Sequence, residues 1–233
     1  MNPKISLIIP TYNERENIAV LIEKISALKI PNLKIFVVDD NSPDGTGEVA
    51  DKLAGQFPPV QVIHRPQKLG LGKAYEDAFG QALKENPDFI IQMDADLSHD
   101  PNAIPEFLEK IKTCDLVLGS RYVLGGKIEN WGQIRRLISR FGNAYARFVL
   151  GLRYRDLTGG FKCYRRDALK KIVSEGFSSS GYNFQIETIF FANKNGLHIE
   201  EIPITFTERK TGDSKFNLGI IIESFFKVLA LRR

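Results

Sequence analysis

The chain has 233 residues, 43% of them hydrophobic, with a net charge of +4 and a pI near 9.0. That suits one sizeable domain with its own core, and the mild excess of Lys and Arg fits an anionic partner (phosphate, lipid headgroup or nucleic acid) without choosing among them. Two cysteines, Cys114 and Cys163, exclude a disulfide scaffold, and three scattered histidines argue against a zinc site.

Short apolar runs alternate with helical patterns along the first half. ISLII (5–9) reads as a strand followed by a helix over about 14–28, and KIFVV (34–38) as a second strand followed by a helix from Thr46. VQVIH (60–64) precedes a helix near Lys73, FIIQM (89–93) precedes a helix after Pro101, and LVLGS (116–120) is a fifth strand. Such alternation predicts an α/β domain with a mostly parallel sheet and helices on both faces. Residues 123–132, with Gly125, Gly126 and Gly132, read as a mobile loop. Residues 133–150 read as an amphipathic helix in which Ile134, Leu137, Ile138, Phe141, Tyr145 and Phe148 form a stripe and Arg135, Arg136, Arg140 and Arg147 fill much of the rest. A turn, strand and helix start follow over 156–169, then a helix over 181–195, a strand over 198–206 and an apolar tail over 216–233. MNPKISLIIP lacks the pattern of a signal peptide, and no apolar run reaches the roughly 20 residues of a membrane span. The expected place is therefore the cytosol, or the cytosolic surface of a membrane.

Ligands of open α/β sheets bind beyond the carboxyl ends of the strands. Here those ends carry Pro10-Thr11-Tyr12-Asn13-Glu14, Asp39-Asp40-Asn41-Ser42, Asp94-Ala95-Asp96 and Gly119-Ser120-Arg121-Tyr122. Asn41, Ser42 and Asp44 read as helix caps, but capping does not account for the whole set. The G-x-G-x-x-G turn of a dinucleotide enzyme is absent, and LGLGKAY (69–75) lacks the spacing of a phosphate loop. Asp94 and Asp96 would repel each other unless a hard divalent cation, Mg2+ or Mn2+, joins them to a phosphorylated ligand.

The motifs PTYNEREN, VVDDNSPDGT, LGLGKAY, MDADLSHDP, GSRY, DLTGGF and ERKTGDSK occur in order over nearly the whole chain. Together they resemble the dolichol-phosphate mannose synthases of glycosyltransferase family 2. The resemblance implies a GT-A fold over 1–212, with 213–233 as a C-terminal amphipathic helix in contact with a membrane. It implies transfer of mannose from GDP-mannose to a polyprenyl (dolichyl) monophosphate, with inversion and a metal ion. Pro10, Tyr12, Glu14, Val38 and Asp40 match nucleotide contacts. Asp94, Ala95 and Asp96 match the diphosphate–metal element, and Ser98 falls where some members place a further metal ligand. Arg209 and Lys215 match a loop that closes over the diphosphate, and Arg121, Arg135 and Ser139 match acceptor-phosphate positions. The implied nucleophile is a phosphate monoester, already dianionic at neutral pH, so no general base is required and Glu187 reads as structural. The basic helix and the tail fit a membrane surface, with a membrane-anchoring subunit as a candidate partner and no nucleic acid. Two alternatives keep the fold: a UDP-sugar donor of the glucose type, or a non-catalytic nucleotide-sugar-binding subunit.

Overall fold

The computed structural model of the chain describes residues 2–179, 181, 183–208 and 218–232. Its first half alternates β1 (Ile5–Thr11), α1 (Arg15–Ala27), β2 (Leu33–Asp39), α2 (Thr46–Gln56), β3 (Val60–His64), α3 (Leu71–Lys84), β4 (Phe89–Gln92), α4 (Ile104–Lys110) and β5 (Leu116–Ser120). The second half holds β6 (Lys127–Glu129), α5 (Gln133–Leu150), β7 (Lys162–Arg165), α6 (Arg166–Ser174), α7 (Phe184–Lys194), β8 (Ile199–Pro203), β9 (Thr205–Thr207) and α8 (Leu218–Leu231).

The main sheet has the order β3-β2-β1-β4-β7-β5-β8. All its pairings are parallel except those of β7, which runs antiparallel to both β4 and β5. Alternation of side chains along each strand splits the core in two. Ile8, Phe36, Val38, Ile90, Leu116 and Leu118 face the layer containing α3, α5, α6 and α7. Leu7, Ile9, Ile35, Val37, Ile91 and Val117 face the layer containing α1, α2 and α4. Both faces are covered, which is why these strands read as continuous apolar runs. Cys114 and Cys163 are buried free thiols, as expected.

Two expectations need correction. Residues 123–132 are not an irregular loop: β6 within them pairs in parallel with β9 as a two-stranded ribbon. The strand expected over 198–206 is broken after Pro203, where the chain leaves the main sheet at Ile204 and continues as β9 in the ribbon. The apolar stripe of α5 does not face the core. Asn143, Ala146, Val149 and Leu150 are the buried positions, whereas Ile134, Leu137, Phe141 and Phe148 are 70–85% exposed. Helix α8 rests on α5, with the Tyr145 and Phe225 rings stacked at 4.4 Å and the Tyr145 hydroxyl donating to the Phe225 carbonyl. Val228 is buried in the core, while Phe225, Phe226 and Leu229 stay exposed.

Candidate active site

The carboxyl ends of β1, β2, β4 and β5 converge on one cleft of about 370 Å³, closed on its far side by α5 and α8. The loops leaving β1, β2 and β4 each turn through a residue in the left-handed region, Asn13 (φ 59°), Asn41 (φ 56°) and Leu97 (φ 60°). Asparagine tolerates that region, whereas leucine is strained there, and such strain is held where the surroundings over-determine it.

Pro10, Tyr12, Glu14 and Asp40 line the cleft. Asp40 is buried and ion-paired to the buried Arg65, which also donates through Nε to Asp77 at 2.9 Å. Burial pushes the Asp40 carboxyl above the usual carboxylate range, against the pull of Arg65. Its neighbour Asp39 points the other way and accepts from the Ser42 backbone N–H and hydroxyl, so Ser42 anchors the turn rather than capping α2. The ammonium of Lys68 stands 3.6 Å from the centre of the Tyr12 ring, and both side chains line the cleft. Val38 does not line the cleft. It is fully buried two residues before Asp40 on the same face of the strand, beneath the cleft floor.

Asp94, Ala95 and Asp96 all line the cleft. Asp94 accepts a long hydrogen bond from the Tyr75 hydroxyl (3.4 Å), and its backbone N–H donates to Nδ1 of the buried His99 at 3.3 Å. Asp96 accepts from the Ser98 backbone N–H at 3.1 Å and from its hydroxyl at 2.6 Å. The Ser98 hydroxyl thus orients Asp96, and Ser98 is buried and absent from the cleft lining. Gly160 gives Asp94 its room, since a Cβ there would lie 2.8 Å from Oδ2 and 3.1 Å from Oδ1. Among the described residues no group of three or more His, Cys, Asp or Glu could hold a metal. Two carboxylates in an open cleft nevertheless fit a hard cation that takes its other ligands from substrate phosphate and water, as Mg2+ does. Behind Asp94, Gln185 accepts from Gln92 Nε2 (2.8 Å) and from the ammonium of the fully buried Lys162 (2.7 Å). Burial holds Lys162 well below the usual lysine range, although the Asp156 and Asp94 carboxylates pull it upward.

Arg121, Arg135 and Ser139 also line the cleft. Arg121 is held by the buried Asp156 through Nε and Nη2, both at 2.7 Å, with Thr158 accepting from Nη2 at 2.7 Å. Burial alone would raise the Asp156 carboxyl; the Arg121 charge and hydrogen bonds outweigh it and leave Asp156 below its ordinary value. Arg135 ion-pairs with Glu208, at the end of β9, and lies 4.2 Å from the Trp131 ring centre. The same ring is 5.6 Å from Arg121, so one indole is shared by two guanidinium groups. Ser139 accepts from the Tyr122 hydroxyl at 2.7 Å. Glu187 is fully buried and accepts from the backbone N–H groups of Ser178 and Ser179, the structural role expected of it. Arg209 and Lys215 lie outside the described residues.

Asp156, Trp131, Gln185 and Glu208 were not anticipated as parts of this site. DLTGGF marks Asp156 only as a turn, and the one tryptophan of the chain was the available signal for Trp131.

Residues 6–173 match the profile described as glycosyl transferase family 2. The undecaprenyl-phosphate mannosyltransferase of Micrococcus luteus is 44% identical over 225 residues, covering 97% of this chain and 92% of that protein. The polyprenol monophosphomannose synthase of Mycolicibacterium smegmatis is 45% identical over 224 residues, covering 95% and 84%. Among solved structures, glucosyl-3-phosphoglycerate synthase from Mycobacterium tuberculosis, in complex with Mn2+, UDP and glucosyl-3-phosphoglycerate, superposes with a TM-score of 0.73 at 22% identity, covering 99% of this chain and 80% of that one. At that identity the likeness speaks for the fold alone.

Proposed function

We propose, from the premise that the chain belongs to glycosyl transferase family 2 and is a glycosyltransferase of GT-A fold, that it transfers mannose from GDP-mannose to a polyprenyl monophosphate. The observation that carries this reading is the pairing of acids and arginines in the cleft lining. Carboxylates, Asp40, Asp94 and Asp96, and guanidinium groups, Arg121 and Arg135, line one and the same cleft.

Asp40 accepts from the base N–H groups, with Arg65 fixing its carboxylate, and Tyr12 offers its ring to the base. Mg2+ or Mn2+ held by Asp94 and Asp96 would supply Lewis-acid neutralisation of the diphosphate. Arg209 and Lys215 are assigned by motif to the same diphosphate. Arg135, with Arg121 fixed beside it, draws the acceptor phosphate towards the sugar. An oxygen of that phosphate attacks the anomeric carbon from the side opposite the diphosphate. The bond from that carbon to the leaving oxygen breaks, and its electron pair leaves with GDP. A phosphate monoester has a second pKa of about 6, so the nucleophile needs no proton removed at neutral pH.

The acceptor's tail argues for a membrane surface. The cleft lining also includes Ile138, Phe141, Tyr145, Phe225 and Val228 of α5 and α8, and α5 carries an exposed apolar face. Leu124, 97% exposed, and Phe226 extend the apolar surface, and Arg136 and Arg140 are exposed on α5. Large exposed apolar patches flanked by cations mark lipid contact. The protein accordingly sits on a membrane surface, alone or with an anchoring subunit. No helix among the described residues is long and apolar enough to cross a membrane.

Incubation of the protein with a short polyprenyl phosphate and either GDP-mannose or UDP-glucose, in Mg2+ or in EDTA, tests this. The expected result is lipid-linked mannose from GDP-mannose, lost in EDTA. Preference for UDP-glucose overturns the donor, and absence of lipid-linked product despite nucleotide binding overturns the reaction.

A further inference from the structure

The two arginines at the acceptor end are held differently. The partner of Arg121, Asp156, is fully buried and bound through two nitrogens. That pair is a fixed part of the wall, because separating it would strand a charge in the interior. The partner of Arg135, Glu208, has a side chain 35% exposed. Its backbone N–H is tied to the Glu129 carbonyl at 3.2 Å, but its carboxylate can turn into water at little desolvation cost. Arg135 itself rests on the Trp131 ring and need not follow.

We infer that Glu208 is a positioning residue for the acceptor phosphate, holding Arg135 until a dianionic phosphate monoester displaces it and reclaiming Arg135 once transfer has left a monoanionic diester. This rests on the assignment of Arg135 to the acceptor phosphate. A carboxylate carries one negative charge. It loses the competition for a guanidinium to a phosphate with two charges and meets a diester with one on more equal terms. Sugar transfer removes one charge from the acceptor phosphate, so the reaction itself shifts the balance back towards Glu208. The same carboxylate that weakens acceptor binding therefore promotes release of the product.

Steady-state kinetics with a short, soluble polyprenyl phosphate test this in Glu208→Gln, Glu208→Asp, Arg135→Ala and the Glu208→Gln/Arg135→Ala double variant. In Glu208→Gln, the acceptor KM is expected to fall by about 2–5-fold, the size supported by a part-exposed ion pair. The inhibition constant of the diester product should fall by a similar factor, and Glu208→Asp should restore wild-type behaviour. An ion pair with only a structural role predicts the opposite sign, a raised acceptor KM. An unchanged or raised KM in Glu208→Gln, with Arg135→Ala still raising it, overturns the inference and leaves the functional reading standing. An acceptor KM unaffected by Arg135→Ala overturns the acceptor site itself. The double variant is expected to behave as Arg135→Ala alone, and a KM gain that persists without Arg135 overturns the inference.

Discussion

Gly160 sets the scale at which this site is built. Any side chain there meets the Asp94 carboxylate at 2.8–3.1 Å, so Asp94 must swing aside in Gly160→Ala. Misplacing a reacting group by about 1 Å can cost about 10²-fold in rate. Gly160→Ala is expected to lose about that factor in kcat/KM for transfer while nucleotide binding at Asp40 and Tyr12 persists. Wild-type turnover in the variant would place Asp94 outside the reaction. The carboxylates themselves were legible in the sequence because acids are costly at the end of a buried strand and need a reason. Gly160 was not, because what it avoids is 66 residues away in the chain. Val38, matched by motif, is fully buried and absent from the cleft lining. Motif matching follows the chain, whereas the depth of the cleft decides which of two residues on one strand face is reached. Ser98 stands where a ligand was expected, but its hydroxyl is turned onto Asp96.

Helix α5 shows what an element's pattern can and cannot say. Its length and apolar stripe were readable, and its boundaries are as expected. Periodicity locates a stripe but not what lies against it, and here the stripe is left outward. Ile134, Leu137 and Phe148, all exposed, are expected to anchor the protein to lipid. Replacing the three with Ser should weaken co-sedimentation with anionic vesicles by roughly 10-fold or more, since full burial of each contributes about 1.5–3 kcal/mol. The melting temperature should hardly move, because these side chains make little of the core. Binding should also weaken with salt, as Arg136 and Arg140 each add about 1 kcal/mol near anionic headgroups. Unaltered vesicle binding would assign the membrane contact to another surface. The β6–β9 ribbon was hidden because strands of three residues carry too short a pattern to register.

For the whole molecule, the Arg121–Asp156 pair links the site to acid stability. The folded state lowers the Asp156 pKa, so between that value and the usual carboxylate range the unfolded chain binds more protons. Stability therefore rises with pH across that window, and the contribution of Asp156 is lost as pH falls through its folded value. Asp40, whose pKa is raised, acts with the opposite slope just above the usual range, so the comparison must be made by difference. Asp156→Asn is expected to be about 3–5 kcal/mol less stable near neutrality, the cost of stripping one partner from a buried pair. Its acid limb in denaturant titrations at stepped pH should be shallower than that of wild type, the remainder coming from groups such as Asp44; an acid limb of undiminished height would remove the pair from this role. The α/β layering was readable from alternating runs, but the reversal of β7 was not, since a four-residue strand looks the same in either direction. The place of β7 in the sheet, rather than its direction, bears on when a newly made chain can work. Strand β7 lies between β4 and β5, though both are synthesised before it. A polypeptide still emerging from the ribosome, with Lys162–Arg165 not yet free, has the donor-side strands but lacks the seam that joins them to the acceptor side. Catalytic competence thus requires that Lys162–Arg165 be made and paired between two strands that precede it in the chain.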